Sequence, residues 1–141
     1  MSLYASFETD RGPIKVELFP EKAPLTVANF VNLARRGFYD GLNFHRVVPN
    51  FVAQGGDPRG DGWGGTDYTI RSEFADLHYE EGTVGLASAG KDTESCQWFI
   101  THNTVPHLDG RYTIFAKVVS GLNVVHQLQI GDKILKAELV K

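Results

Sequence analysis

Two side chains with chemistry to offer stand close together in the segment FHRVVPNFVAQGGD, residues 44–57: Arg46 and Gln54. Arg46 lies among Phe44, His45, Val47 and Val48, and Gln54 follows Phe51, Val52 and Ala53. A guanidinium is always charged and holds its donors in a planar fork, and an amide adds donors and an acceptor. Neither group is a nucleophile or a proton acceptor at neutral pH. The chemistry they suit is hydrogen bonding to a polar atom inside apolar surroundings. Strict alternation puts Phe44, Arg46 and Val48 on one face of a buried hairpin, with His45 and Val47 on the other. Two readings of Arg46 follow. It is a strand arginine, facing solvent or paired with a carboxylate, or it is the fixed cation of a small-ligand pocket.

Other groups of reactive types have less support. The run Gly60-Asp61-Gly62-Trp63-Gly64-Gly65 fits G-x-G-x-x-G, but a dinucleotide site needs a helix to follow, and Tyr68-Thr69-Ile70-Arg71 reads as extended. A compact surface loop fits better. Asp57, Asp61 and Asp67 lack the calcium-loop spacing and read as solvated. The five histidines show no zinc spacing, and there is no G-x-S-x-G nucleophile elbow. The single cysteine, Cys96, reads as a packing residue and not as a thiol nucleophile.

The elements that must position Arg46 and Gln54 come from periodicity. Leu3 to Thr9 and Ile14 to Leu18 alternate around the turn Asp10-Arg11-Gly12. Pro24 begins a helix whose Val27, Phe30, Val31 and Ala34 share a face, and Gly37 stops it. Further strands are expected at Asn43 to Val48, Phe51 to Gln54, Thr83 to Ala87, Gln97 to Thr101, Thr113 to Val118 and Ile134 to Val140. A second short helix covers Leu122 to Leu128, with Ser120 as its N-cap. About eight strands and two helices, without repeat or linker, point to a barrel or a sandwich.

Bulk properties agree with one domain over residues 1–141. A chain of this size hides roughly 68–70% of its unfolded surface without metal or disulfide staples. A formal net charge of −3, with no Lys/Arg run, argues against a dedicated nucleic-acid surface. A lone cysteine favours a reducing compartment, the N-terminus has no signal-peptide pattern, and no stretch reaches the ~18 apolar residues that span a bilayer. The expectation is a soluble, cytoplasmic monomer that binds neither nucleic acid nor membrane.

FHRVVPNFVAQGGD resembles the hallmark segment of the cyclophilins, the peptidyl-prolyl cis/trans isomerases inhibited by cyclosporin. The resemblance continues through NFVNLARRGFYDGLNFHRV, GDPRGDGWGG, GTVGLASAG, SCQWFIT and HLDGRYTIFAKVVSGLNVV, collinear over nearly the whole chain. It implies a mainly β fold, a closed eight-stranded antiparallel β-barrel capped by two α-helices. It also implies a catalytic Arg46, with Gln54, Phe51 and Phe99 at the site. Val52 stands where many relatives carry methionine, and Leu108 matches a pocket leucine. Ala87 and Ser88 fall in the stretch whose backbone pairs with substrate, Ser88 where asparagine is usual, and Gln97 matches a groove glutamine. His107 replaces a rim tryptophan and Tyr112 a histidine of the cyclosporin-sensitive members, so weakened cyclosporin binding is expected. The substrates implied are proline-containing peptides and unfolded or partly folded proteins, with no cofactor and no metal. Against this stand a non-catalytic proline-binding module or chaperone and, more remotely, a nucleic-acid-binding barrel, which would interleave aromatic with basic residues.

Overall fold

The alternating stretches become eight strands and two helices in the computed structural model, which describes residues 2–140. In chain order these are β1 (Leu3–Thr9), β2 (Gly12–Leu18), α1 (Pro24–Arg35), β3 (Phe44–Val48), β4 (Val52–Gly55), β5 (Thr83–Leu86), β6 (Trp98–Thr101), β7 (Ile114–Ser120), α2 (Leu122–Gln127) and β8 (Ile134–Val140). All strand pairs are antiparallel, in the spatial order β3-β4-β6-β5-β7-β2-β1-β8.

The sheet curls into a barrel, but the expected full closure is not reached. Its edge strands, β3 and β8, meet only at the bridge Asn43–Lys133 and in flanking bonds such as Ile134 N–H to the Leu42 carbonyl, 2.7 Å. Residues 36–41 are in turn conformations and cannot extend a ladder, so the seam is laced over one short stretch.

Helix α1 begins at Pro24, as the sequence predicts, yet its N-cap, Ala23, offers no side-chain acceptor. A distant carboxylate substitutes: Glu73 accepts the N–H groups of Leu25 (3.0 Å) and Thr26 (2.6 Å). Negative charge there suits the orphan donors and the helix dipole. Helix α2 does not use Ser120 as its cap. Ser120 ends β7, and Gly121 takes the N-cap position at φ +91°, where a Cβ would also collide with the Pro13 carbonyl. Only glycine meets both demands.

The period of two divides the strands between two apolar clusters. Ala53 of β4, Trp98 and Ile100 of β6, and Val84 and Leu86 of β5 enter the main core with Phe7, Phe30, Phe44 and Phe115. Val52 of β4 and Phe99 of β6 join a second cluster with Tyr79, Val105, Leu108 and Ile114. That second cluster forms the floor of the site.

Candidate active site

Arg46 reaches the second cluster through an irregularity that alternation does not anticipate. The β3–β4 register shifts between Phe44 and Arg46: Phe44 opposes Gly55, whereas Arg46 opposes Gln54. The bulge sends Phe44 into the main core, fully buried, and leaves Arg46 beside Val52 and Gln54 on the other side. The expected common face of Phe44 and Arg46 is therefore wrong. Nor is Arg46 buried; it is exposed at a cavity lip, which removes the cost of dehydrating a cation.

The cavity encloses about 230 Å³. Arg46, Phe51, Val52, Gln54 and Phe99 line it from the β3, β4 and β6 side, and Ala87, Ser88, Leu108 and Tyr112 complete the wall. Phe51 ends the β3–β4 turn, with the Arg46 Cζ 5.8 Å from its ring centroid and the His107 ring stacked at 5.7 Å. His107 thus acts on the rim through Phe51 and does not line the cavity. Tyr112 meets Phe99 edge-on at 5.9 Å.

A chain of amides fixes the polar side. Arg46 Nη1 lies 3.5 Å from Gln54 Oε1, a long contact. Gln54 Nε2 donates to Gln97 Oε1 (3.0 Å), and Gln97 Nε2 donates to the carbonyls of Gly62 (3.1 Å) and Gly64 (3.0 Å). Because carbonyls only accept, the Gln97 amide must point its nitrogen at the loop, which leaves its oxygen for Gln54 and turns the Gln54 oxygen toward Arg46. Gln97 itself faces an adjoining depression of about 320 Å³.

Several participants escape a sequence reading. Tyr79 is fully buried, stacks on Phe99 at 5.6 Å and donates its hydroxyl to the Tyr112 carbonyl at 3.0 Å. Burial pushes its phenol far above the ordinary range, so it stays a donor. Its sequence signal was a single aromatic in the polar run His78-Tyr79-Glu80. Gly85 gives this stack room, since a Cβ there would lie 2.7 Å from Phe99 Cζ. Asp57, expected in solvent, is 0% exposed and accepts N–H bonds from Arg59 (2.9 Å), Asp61 (3.0 Å) and Gly62 (2.5 Å). Burial works to raise its pKa, but these backbone donors outweigh it and hold the carboxyl below its ordinary value. The loop they shape carries Trp63, 84% exposed, on the wall of the adjoining depression. Cys96 packs in the main core, and burial pushes its thiol up, away from nucleophilic use.

The fold is a curled antiparallel β-barrel with a cavity that has Arg46 at its lip and Phe51, Val52, Phe99 and Leu108 in its wall. Comparison with known proteins narrows that class. The family model for "Cyclophilin type peptidyl-prolyl cis-trans isomerase/CLD" matches residues 4–140. Peptidyl-prolyl cis-trans isomerase B of Bacillus subtilis is 53% identical over 125 residues, 87% of each chain. A peptidyl-prolyl cis-trans isomerase of Synechococcus elongatus is 47% identical over 138 residues, 96% of this chain and 95% of its own. A crystal structure of a Cryptosporidium parvum cyclophilin-type isomerase superposes with a TM-score of 0.95 at 29% identity, covering 100% of this chain and 99% of that one. The same parasite protein, solved in the presence of the dipeptide Ala-Pro, gives 0.92 at 31% identity, covering 98% and 99%. The chain belongs to the cyclophilin-type peptidyl-prolyl cis-trans isomerases, enzymes that accelerate rotation about X-Pro bonds.

Proposed function

We propose that a substrate proline ring enters the cavity walled by Phe51, Val52, Phe99 and Leu108, and that Arg46 donates a hydrogen bond to the prolyl nitrogen as the amide twists. The observation that carries this reading is the meeting of one guanidinium with an apolar ring-sized wall around a single space of about 230 Å³. Pockets for drug-sized ligands run to roughly 300–1,000 Å³, so this one suits a single ring.

Rotation about an X-Pro bond crosses a barrier of about 18–20 kcal/mol because twisting breaks amide resonance. No bond is cut, so no nucleophile, base or metal is required. The twisted nitrogen regains its lone pair and becomes an acceptor. A donor aimed at it stabilises the twisted state more than the planar one, which is the condition for acceleration. The apolar wall adds a second preference, because the twisted amide is less polar than the planar amide.

The rest of the site orients the peptide. Gln54, held by Gln97, keeps its oxygen toward Arg46 and steadies the fork. The Ala87 N–H is already bonded to the Gln97 carbonyl at 2.9 Å, so the Ala87 carbonyl and Ser88 are the backbone groups that pair with substrate. Both residues also line the adjoining depression, which gives the peptide flank a path past Trp63. The ligands are proline-containing peptides and partly folded proteins, taken by a monomer. A coupled isomerisation assay over a panel of X-Pro peptides, with and without cyclosporin, tests the reading. Rates equal to the uncatalysed ones across the panel would overturn it.

A further inference from the structure

Phe51 is a ring of the cavity wall against which Arg46 and His107 both lie. It is also carried by a tight turn and not by a strand. That turn, Val48 to Phe51, has one internal bond, Phe51 N–H to the Val48 carbonyl at 3.0 Å, and it places Asn50 at φ +61°. So short a segment needs an outside anchor to hold an aromatic ring steady.

The anchor is His102, just past the end of β6. Its backbone N–H donates to the Phe51 carbonyl at 2.8 Å, and its ring Nδ1 lies 3.2 Å from the Val48 carbonyl. A carbonyl only accepts, so Nδ1 carries a proton, and in the neutral ring Nε2 is the bare nitrogen. His102 is 6% exposed, and its Nε2 makes no hydrogen bond. We infer that His102 is a positioning residue for the isomerase reaction: its neutral ring pins the Val48–Phe51 turn and so holds Phe51 at the cavity wall.

The surroundings favour that neutral form. The ring stacks on His126 of α2 at 5.3 Å, and His126 Nε2 pairs with Glu81 Oε2 at 2.7 Å. The groups facing His102 are thus the Val48 carbonyl from β3, the Val125 carbonyl and His126 from α2, and Glu81 beyond His126. Burial lowers the His102 pKa most, the Val48 carbonyl pulls the other way, and His126 lowers it again against a weaker pull from the Val125 carbonyl, so the net shift is downward. Protonation puts a charge into a buried site beside His126, which presses the ring out of its site and frees the turn.

The inference rests on the functional reading above, and its test separates the two. At pH about 7.5 the His102→Leu variant keeps its fold but raises KM about tenfold with a smaller change in kcat, because Phe51 holds substrate in planar and twisted states alike. His102→Asn, whose amide N–H can reach the Val48 carbonyl but does not titrate, restores the neutral-pH KM. Wild-type kcat/KM falls in an acid limb that lies below the ordinary histidine range, because burial lowers the His102 pKa. His102→Asn lacks that acid limb, and in the exposed variant His126→Gln it moves to higher pH. An unchanged KM in His102→Leu, or an acid limb retained in His102→Asn, overturns the inference. Amide hydrogen exchange at Phe51 provides a readout free of activity. Protection lost in His102→Leu and regained in His102→Asn supports the anchor, and equal protection in all three refutes it. A wild-type protein inactive at pH about 7.5 would strike the functional reading alone, and the exchange experiment would still decide the role of His102.

Discussion

Replacing Arg46 with alanine should slow catalysis strongly and leave the fold almost untouched. In the free protein Arg46 has little to lose: it is exposed, its contact with Gln54 is a long 3.5 Å, and its approach to the Phe51 ring is 5.8 Å. Exposed contacts of this kind put the stability change within about 0.5 kcal/mol. In the twisted state the same side chain donates a charge-assisted hydrogen bond, worth roughly 1.5–3 kcal/mol. At about 1.36 kcal/mol per decade, that is a ten- to hundredfold loss. The loss should fall on kcat more than on KM, because the nitrogen accepts only when the amide has twisted. Arg46→Lys should recover part of the rate, keeping the charge without the planar fork. The measurement is a coupled isomerisation assay in the cold, where uncatalysed rotation takes minutes. Thermal unfolding of each variant serves as the control. An Arg46→Ala protein with wild-type kcat and kcat/KM would refute the donor mechanism, whatever its stability.

Four further outcomes follow from the site. Because arginine and glutamine do not titrate there, kcat/KM should be flat between about pH 7 and 9, and a sloping profile would place an ionising group in the chemistry. Asp57→Ala leaves three backbone donors without their acceptor and should cost about 2–3 kcal/mol in denaturant unfolding. Since the folded state holds the Asp57 carboxyl below its ordinary pKa, wild-type stability from this group is full above about pH 4 and is lost as pH falls through the depressed value, a dependence that Asp57→Ala should lack. Gly85→Ala drives a methyl onto the Tyr79 hydroxyl and to within 2.7 Å of Phe99 Cζ, so it should raise KM and destabilise by about 1–3 kcal/mol. His107→Trp restores an indole at the rim beside Phe51 and should tighten cyclosporin inhibition, which a titration of residual activity would show.

Much of this molecule is local and therefore readable along the chain. Alternating residues mark the strands, Pro24 and Gly37 bound α1, and the site residues Arg46, Phe51, Val52 and Gln54 fall within one short hairpin. The places where such reading fails share a cause. Alternation assigned Phe44 and Arg46 to one face, but a single bulge against β4 separated them. Ser120 has the side chain of a cap, yet the approach of the Pro13 carbonyl demanded glycine at the next position. Asp57 looked like a solvated loop acid until its own loop folded around it.

What the sequence alone determined is a mainly β fold, barrel or sandwich by periodicity and a barrel only by family resemblance, with two helices and the residue types gathered at the site. Periodicity and turn chemistry act over a few residues, and the hairpin that carries Arg46 and Gln54 is one such unit. Tertiary structure decided how far the barrel closes, that Arg46 is exposed and not buried, and which partners hold the cavity in shape. Tyr79 behind Phe99, Gln97 behind Gln54 and His102 behind Phe51 are contacts between segments 20 to 51 residues apart. Each depends on strand register and burial, which exist only once the sheet has curled.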